Sequence, residues 1–345
     1  MSKRYPLSAA SKAFELINGQ EGGAELLAEI ASCDDLNSER KILQEYTDVR
    51  VKHLNESLGD AYSEKEVTEV WYRLAANDAT IITPADLTWA ARWSRCRHVY
   101  RISPEFANEL ANTDLDDEIP TDVLLRLPYP IVFIEDTPDS KAAGFLAYLI
   151  ADDNGATTLG LTTIMRNGVR LHDSLAISGS TTLRELADKK SLATDDNGTV
   201  TSTRKEWVTD DIYMNIVLNI SKKINTLLYI ISATDDAEVL HAPSTRRKPG
   251  QKVGRKTNPE TLSLVGAKMG RAIGAARRQA VSRGTHESTG QTKAPHVRSA
   301  HWAHYWVGPR KNRIDGKFGD RLVLKWIPPI NVNEDLGDVV ETIHN

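Results

Sequence analysis

Residues 131–178 read IVFIEDTPDSKAAGFLAYLIADDNGATTLGLTTIMRNGVRLHDSLAIS, and this run decides the fold. Ile131 to Ile134 is a short buried-strand pattern. Gly144 to Asp153, Thr157 to Met165 and Val169 to Ser178 are longer runs rich in β-branched, aromatic and aliphatic residues. Asp152-Asp153-Asn154-Gly155 separates the second run from the third, and Arg166-Asn167-Gly168 separates the third from the fourth. Asn-Gly between two β-rich runs is a strong local signal for a hairpin. The stretch therefore predicts an antiparallel meander of about four strands spanning 130–178. His172 and Asp173 sit together on its last strand, and that pairing reads as a sheet-surface pair rather than part of a catalytic triad.

Working outward, the meander needs a partner for its apolar face, and the chain supplies one. Ile212, Ile216, Ile220, Ile224, Leu227, Leu228 and Ile231 recur at helical spacing, with Asp210 and Asp211 where a helix dipole favours acids. A core helix over 209–232 is expected. Between the two, Thr181 or Thr182 starts a short helix through Leu192. Upstream, Thr121 caps a short turn through Leu125 that Pro128 and Pro130 stop.

Residues 7–112 read as helical. Ala13, Phe14, Leu16 and Ile17 make one apolar face, and Gly22-Gly23 interrupts it before Leu26, Leu27 and Ile30. Val67, Val70, Trp71 and Leu74 make another. Thr83-Pro84 and Ser103-Pro104 each place a capping residue before a proline at the first helical position. Trp89 and Trp93 share a face and read as core. The expected class is α+β, with a helical region over 1–115, the meander and its core helix over 116–243, and a basic His/Trp-rich α/β module over 244–345.

Charge separates that last module from the rest. Residues 1–245 hold 24 Lys+Arg against 39 Asp+Glu, whereas residues 246–325 hold 19 against 4. The final twenty residues carry 4 acids and no Lys or Arg. An excess of this size suits a polyanion or an acidic partner, or else packing against the acidic part of the same chain. Arg246, Arg247, Lys248, Lys252, Arg255 and Lys256 form a basic Gly/Pro loop suited to a phosphate backbone. Gly266, Gly270 and Gly274 then recur every four residues, as in a helix making a close contact, although each glycine weakens a helix and a strand or irregular conformation competes. Arg277 and Arg278 follow. Only Cys33 and Cys96 occur, which excludes a disulfide framework and a cysteine-rich zinc site. No cofactor is expected. No run has the length and apolarity of a membrane span or a signal peptide, so the expected location is cytoplasmic, with no membrane partner.

The densest chemistry lies in PHVRSAHWAHYWVGPRKNRIDGKFGDRLVLKWIPPINVN, residues 295–333. It holds His296, Arg298, His301, His304, Trp302, Tyr305 and Trp306, then a strand pattern from Arg321 through Lys325 and Trp326 that Pro328-Pro329 ends. Four readings compete. His301 and His304, three apart on a helix, with His296 added, could share a metal ion. His296 and His301 with Arg298 could form a metal-independent ribonuclease, the imidazoles exchanging protons while the cation meets developing phosphate charge. Trp and Tyr rings with Arg and Lys could bind RNA or acidic peptide groups, which is the leading reading. The same rings could instead be a structural His/Trp core inside a protein-interaction module.

The stretch also resembles the type V-A anti-CRISPR family, second described in its class, whose members block production of the CRISPR effector nuclease. Those proteins carry R-P-H-I-R-R-G-H-W-H-G-Y-W, a short insert and then R-W-x-P-x-x-x-V-N. Pro295, His296, Arg298, His301, Trp302, Tyr305 and Trp306 match, followed by Lys325, Trp326, Pro328, Val332 and Asn333. Pro120, Thr121, Leu125, Leu127 and Pro128 resemble the family's turn before a strand. Ala303 and His304 depart from the pattern, which leaves His296 and His301 as the stronger candidates. The resemblance implies a phage or plasmid regulator that recognises a nascent polypeptide on the ribosome and lowers its mRNA. Its partners would then be RNA or the ribosome, through the basic module, and a nascent polypeptide or other protein target.

Overall fold

The computed structural model describes residues 7–57, 62–75, 77–113, 115, 119–151, 157–177, 181–185, 210–232, 237–241, 260–283, 296–298, 300–307 and 321–332. The expected meander forms. Strands β2 (Ile131–Glu135), β3 (Ala142–Ala151), β4 (Thr157–Met165) and β5 (Arg170–Ala176) pair antiparallel in sequence order. At the Asn167-Gly168 turn, Gly168 takes φ +89, and its N–H donates to the Met165 carbonyl at 2.9 Å. A residue with a Cβ seldom tolerates that φ, so glycine fixes the turn. The Asp152–Gly155 turn lies outside the described residues.

The meander is part of a larger sheet, ordered β5-β4-β3-β2-β1-β7-β6. Strand β1 (His98–Ile102) falls inside the region read as helical and corrects that reading. It runs parallel to β2 on one side and to β7 (Thr261–Val265) on the other, while β6 (Glu238–His241) closes the edge antiparallel to β7. Five residues between two helices give too short a pattern for local periodicity to reveal. The three sequence segments thus contribute strands to one mixed sheet.

Alternation of side chains along the strands supplies a core on each face. On one face, Val99, Ile131, Phe133, Leu146 and Tyr148 meet α1 (Ala9–Asn18), α2 (Gly23–Ser32) and α5 (Pro84–Arg95). Trp89 and Trp93 are fully buried there, as expected, and their indole N–H groups donate to Asp86 Oδ1 at 3.2 Å and Ser11 Oγ at 3.1 Å. Thr83 and Asp86 form a capping box at the start of α5. Helices α3 (Leu36–Ser57) and α4 (Glu64–Ala75) meet beside this layer through Val51, Val67 and Trp71.

On the other face, Tyr100, Ile102, Val132, Ile134, Phe145 and Ala147 meet α6 (Pro104–Ala111), a 3-10 turn (Thr121–Arg126) and α7 (Asp210–Ser232). Ile220, Ile224, Leu227 and Leu228 of α7 are buried, as periodicity predicts, and Ile231 packs at the margin. The side chains of Ile212 and Ile216 lie outside the described residues. Two local readings change. Pro120, not Thr121, is the cap of the 3-10 turn. Of the two candidate threonines, Thr182 starts the next turn: Glu185 N–H donates to its Oγ1 at 3.2 Å, and Glu185 Oε2 accepts the Thr182 N–H at 3.1 Å. The remainder of that expected helix, to Leu192, lies outside the described residues.

The glycine-repeat segment is helix α8 (Ala267–Arg283), which resolves the two conformations its sequence left open. Gly266 enters it at φ +71, and a Cβ there would stand 2.0 Å from the Phe106 ring. At Gly270 a Cβ would stand 2.1 Å from Ser103 Oγ, so bare backbone lets α8 lie against the start of α6.

Candidate binding surface at the C-terminal hairpin

The His/Trp stretch is strand, not helix. β9 (His301–Val307) pairs antiparallel with β10 (Arg321–Ile327), placing Trp302 opposite Trp326, Ala303 opposite Lys325 and Tyr305 opposite Val323. Beside them, β8 (His296–Arg298) pairs with β11 (Ile330–Val332), His296 opposite Val332 and Arg298 opposite Ile330. Period-two geometry then sorts the hairpin residues.

Trp302 is 3% exposed and Trp326 8% exposed, both within the core of the α7 face. Trp326 packs edge-on against Phe106, with ring centroids 5.0 Å apart, and Tyr229 adds a second edge contact. Each indole N–H is satisfied. Trp302 donates to Asn225 Oδ1 at 2.8 Å, and Trp326 to Thr113 Oγ1 at 3.0 Å. This corrects the expectation of two stacking platforms: the structural reading holds for both rings, because pleating turns them inward.

The opposite face is partly exposed. Tyr305 is 45% exposed, and the ammonium of exposed Lys325 lies 5.9 Å from its ring centroid, a cation–π pair at the surface. His301 is half-buried on the same face, opposite Ile327. Positions 301 and 304 fall on opposite faces of β9, so they do not share the helix face on which a common metal ion was expected.

Several expected site residues are placed by backbone alone. His296 and Arg298 lie on β8, His304 and Trp306 on β9 and Arg277 on α8, with side chains outside the described residues. Arg278 is exposed on α8. Arg246, Arg247, Lys248, Lys252, Arg255 and Lys256 lie outside the described residues altogether.

Sequence reading missed two polar clusters. His172 does not rest on a sheet surface beside Asp173; its Nε2 stands 3.3 Å from Asp86 Oδ1, and its Nδ1 is 2.9 Å from Thr162 Oγ1. Arg170 Nε donates to the same Asp86 oxygen at 2.6 Å, and its other nitrogens donate to the Ala79 and Ile81 carbonyls. Burial pushes the Asp86 carboxyl upward, but His172 and Arg170 outweigh it and hold the group well below the usual carboxylate range. The cluster is almost fully buried and reads as a clamp between α5 and β5. The second cluster gathers around Lys222 and Lys223 on α7. A Lys-Lys pair inside an apolar helix was the signal that marked it.

A mixed sheet with helices on both faces, one of them carrying an aromatic hairpin, is an α+β fold. Among the described residues no helix is long and apolar enough to cross a membrane. The family model AcrVA2-like, the anti-CRISPR type V subtype A2 family, matches residues 100–334, and the chain belongs to that family. Its function is therefore of the anti-CRISPR class. The chain is also similar in fold to the crystal structure of AcrVA2, with a TM-score of 0.54 and 16% identity, over 95% of this chain and 100% of that one. No curated protein matches it.

Proposed function

We propose that this anti-CRISPR protein lowers production of its target by recognising a nascent polypeptide in its translation complex and reducing the corresponding mRNA. It acts as a binding protein, and the basic aromatic C-terminal module is its contact with RNA or the ribosome. The observation that carries this reading is the two-faced hairpin. Trp302 and Trp326 lock its inner face to the core, while Tyr305 and Lys325 stand on the outer face as a ring and a cation. A surface fixed in this way loses little side-chain freedom on binding, and ring-plus-cation pairs suit unstacked bases. The excess of Lys and Arg over residues 246–325 extends the same electrostatic character.

The test is co-purification from a translating bacterial lysate, with bound RNA and peptides sequenced, for wild type and a Tyr305→Ala/Lys325→Glu double variant. Ribosomal RNA together with one enriched nascent chain, lost in the variant, is the expected result. Recovery of proteins alone, unchanged in the variant, would overturn the reading.

A further inference from the structure

A small cleft opens at the carboxyl ends of β1 and β2, between the sheet and helices α6 and α7, with a cavity volume of about 40 Å³. That is space for about three groups of water size, at roughly 10–15 Å³ each, which suits a carboxylate rather than a whole ligand. Its apolar lining includes Ile102, Ala107, Ile134 and Phe145. Lys223 also lines it, although that residue is only 6% exposed. Its Nζ donates to Thr163 Oγ1 at 2.6 Å and lies 5.7 Å from the Phe145 ring centroid.

The acids around this amine are mostly engaged. Asp136 accepts from Lys222 Nζ at 2.9 Å, from Ser140 Oγ at 2.8 Å and from the Thr137 N–H at 2.9 Å. Glu135 pairs with Arg101 at 2.6 Å. Burial pulls the Lys223 pKa down, Lys222 adds to this, and the charges of Asp173 and Asp136 oppose it. An ammonium has three donors, and among the described residues the hydrogen-bond partner of Lys223 is Thr163. Burying such a group is unfavourable, and at a core position between Ile220 and Ile224 an aliphatic residue would be the simpler choice.

We propose that this cleft is a second binding site, which takes a carboxylate carried on a short apolar stem, with Lys223 as the ammonium that receives it. The stem lies against Phe145 and Ile134, and the carboxylate oxygens occupy the donors that Thr163 leaves. The Lys222–Asp136 pair at the rim supplies a donor and an acceptor of balanced charge for the polar groups that follow the stem. The same chemistry has two sources: an acidic side chain of a polypeptide, or a small free carboxylic acid. The proposal is independent of the hairpin reading, because it stands on different residues.

Titration calorimetry on the full chain tests it with three probes: acetyl-Ala-Glu-Ala-amide, its Gln counterpart, and glutarate. The Glu peptide should bind at least on the order of tenfold more tightly than the Gln peptide, the factor a charged hydrogen bond supplies. Lys223→Met should abolish that preference while melting no lower than wild type. Should Lys223→Met fail to fold, Lys223→Gln carries the same test. Glutarate binding as well as the Glu peptide assigns the site to a free acid, whereas much weaker glutarate binding assigns it to a polypeptide. Equal binding of the Glu and Gln peptides, no binding of either Glu peptide or glutarate, or a preference that survives in both Lys223 variants overturns the proposal.

Discussion

Trp302 on β9 donates its indole N–H to Asn225 on α7 at 2.8 Å, and the Asn225 amide in turn donates to the Thr113 carbonyl at 2.8 Å. Thr113 Oγ1 accepts from Trp326, so the buried Asn225 and Thr113 together tie the two strands of the hairpin to the end of α6. Asn225→Leu leaves the Trp302 N–H and the Thr113 carbonyl unpaired in the core. Each such group costs about 1–3 kcal/mol. Urea denaturation should show a loss of that order or more, with RNA binding falling only in proportion to the folded fraction.

Asp86 gives a prediction that depends on pH. Its folded pKa is depressed, so the stability it supplies is present above the unfolded value, about 3.9, and is lost as pH falls towards the folded one. Asp86→Asn removes the carboxylate facing Arg170 and His172 and should cost about 3–5 kcal/mol at neutral pH. The gap between wild type and variant should narrow below about pH 4. Denaturation curves at neutral and acid pH measure it; a gap that widens in acid would contradict the assignment.

Two of the repeating glycines should respond to alanine with opposite signs. Gly266→Ala drives a methyl group into Phe106 at a φ of +71, and the melting temperature should fall by the amount of a severe core clash. At Gly274 the nearest atom to an added Cβ is the Arg278 guanidinium at 3.4 Å, so alanine there should stabilise α8 by up to about 1 kcal/mol. A pair of thermal melts decides both.

Lys325 should behave as a phosphate contact. Lys325→Ala should weaken binding to a generic single-stranded RNA and lower the slope of log affinity against log salt by about one. Its melting temperature should stay near that of wild type, because the side chain is exposed. An unchanged slope would remove Lys325 from the RNA surface.

Local pattern carried the meander and α7, because Asn167-Gly168 and the spacing from Ile220 to Leu228 are set by neighbours in sequence. β1 was hidden for the opposite reason: Val99 finds its partners in Phe133 and Leu262, both distant in the chain. His172 was read with Asp173 because adjacency is all that a sequence displays, while Asp86 reaches it only after α5 folds onto the sheet. In the C-terminal stretch, composition pointed to recognition for every aromatic residue. Trp302 and Trp326 turned inward because alternate residues of a pleated strand face opposite sides, and nothing in composition separates Trp302 from Tyr305.

The position of β1 also sets a schedule for synthesis. β1 leaves the ribosome early, yet one of its two neighbours, β7, is translated only after the whole meander and α7. Until Leu262 emerges, the backbone of Val99 has an open side in the middle of the future sheet, and the indoles that close the α7 core come later still. Late pairing of distant strands slows folding and leaves unpaired edges available for wrong contacts. A stop codon after α7 would therefore yield an incomplete sheet with an unpaired β1 edge, not a smaller independent domain.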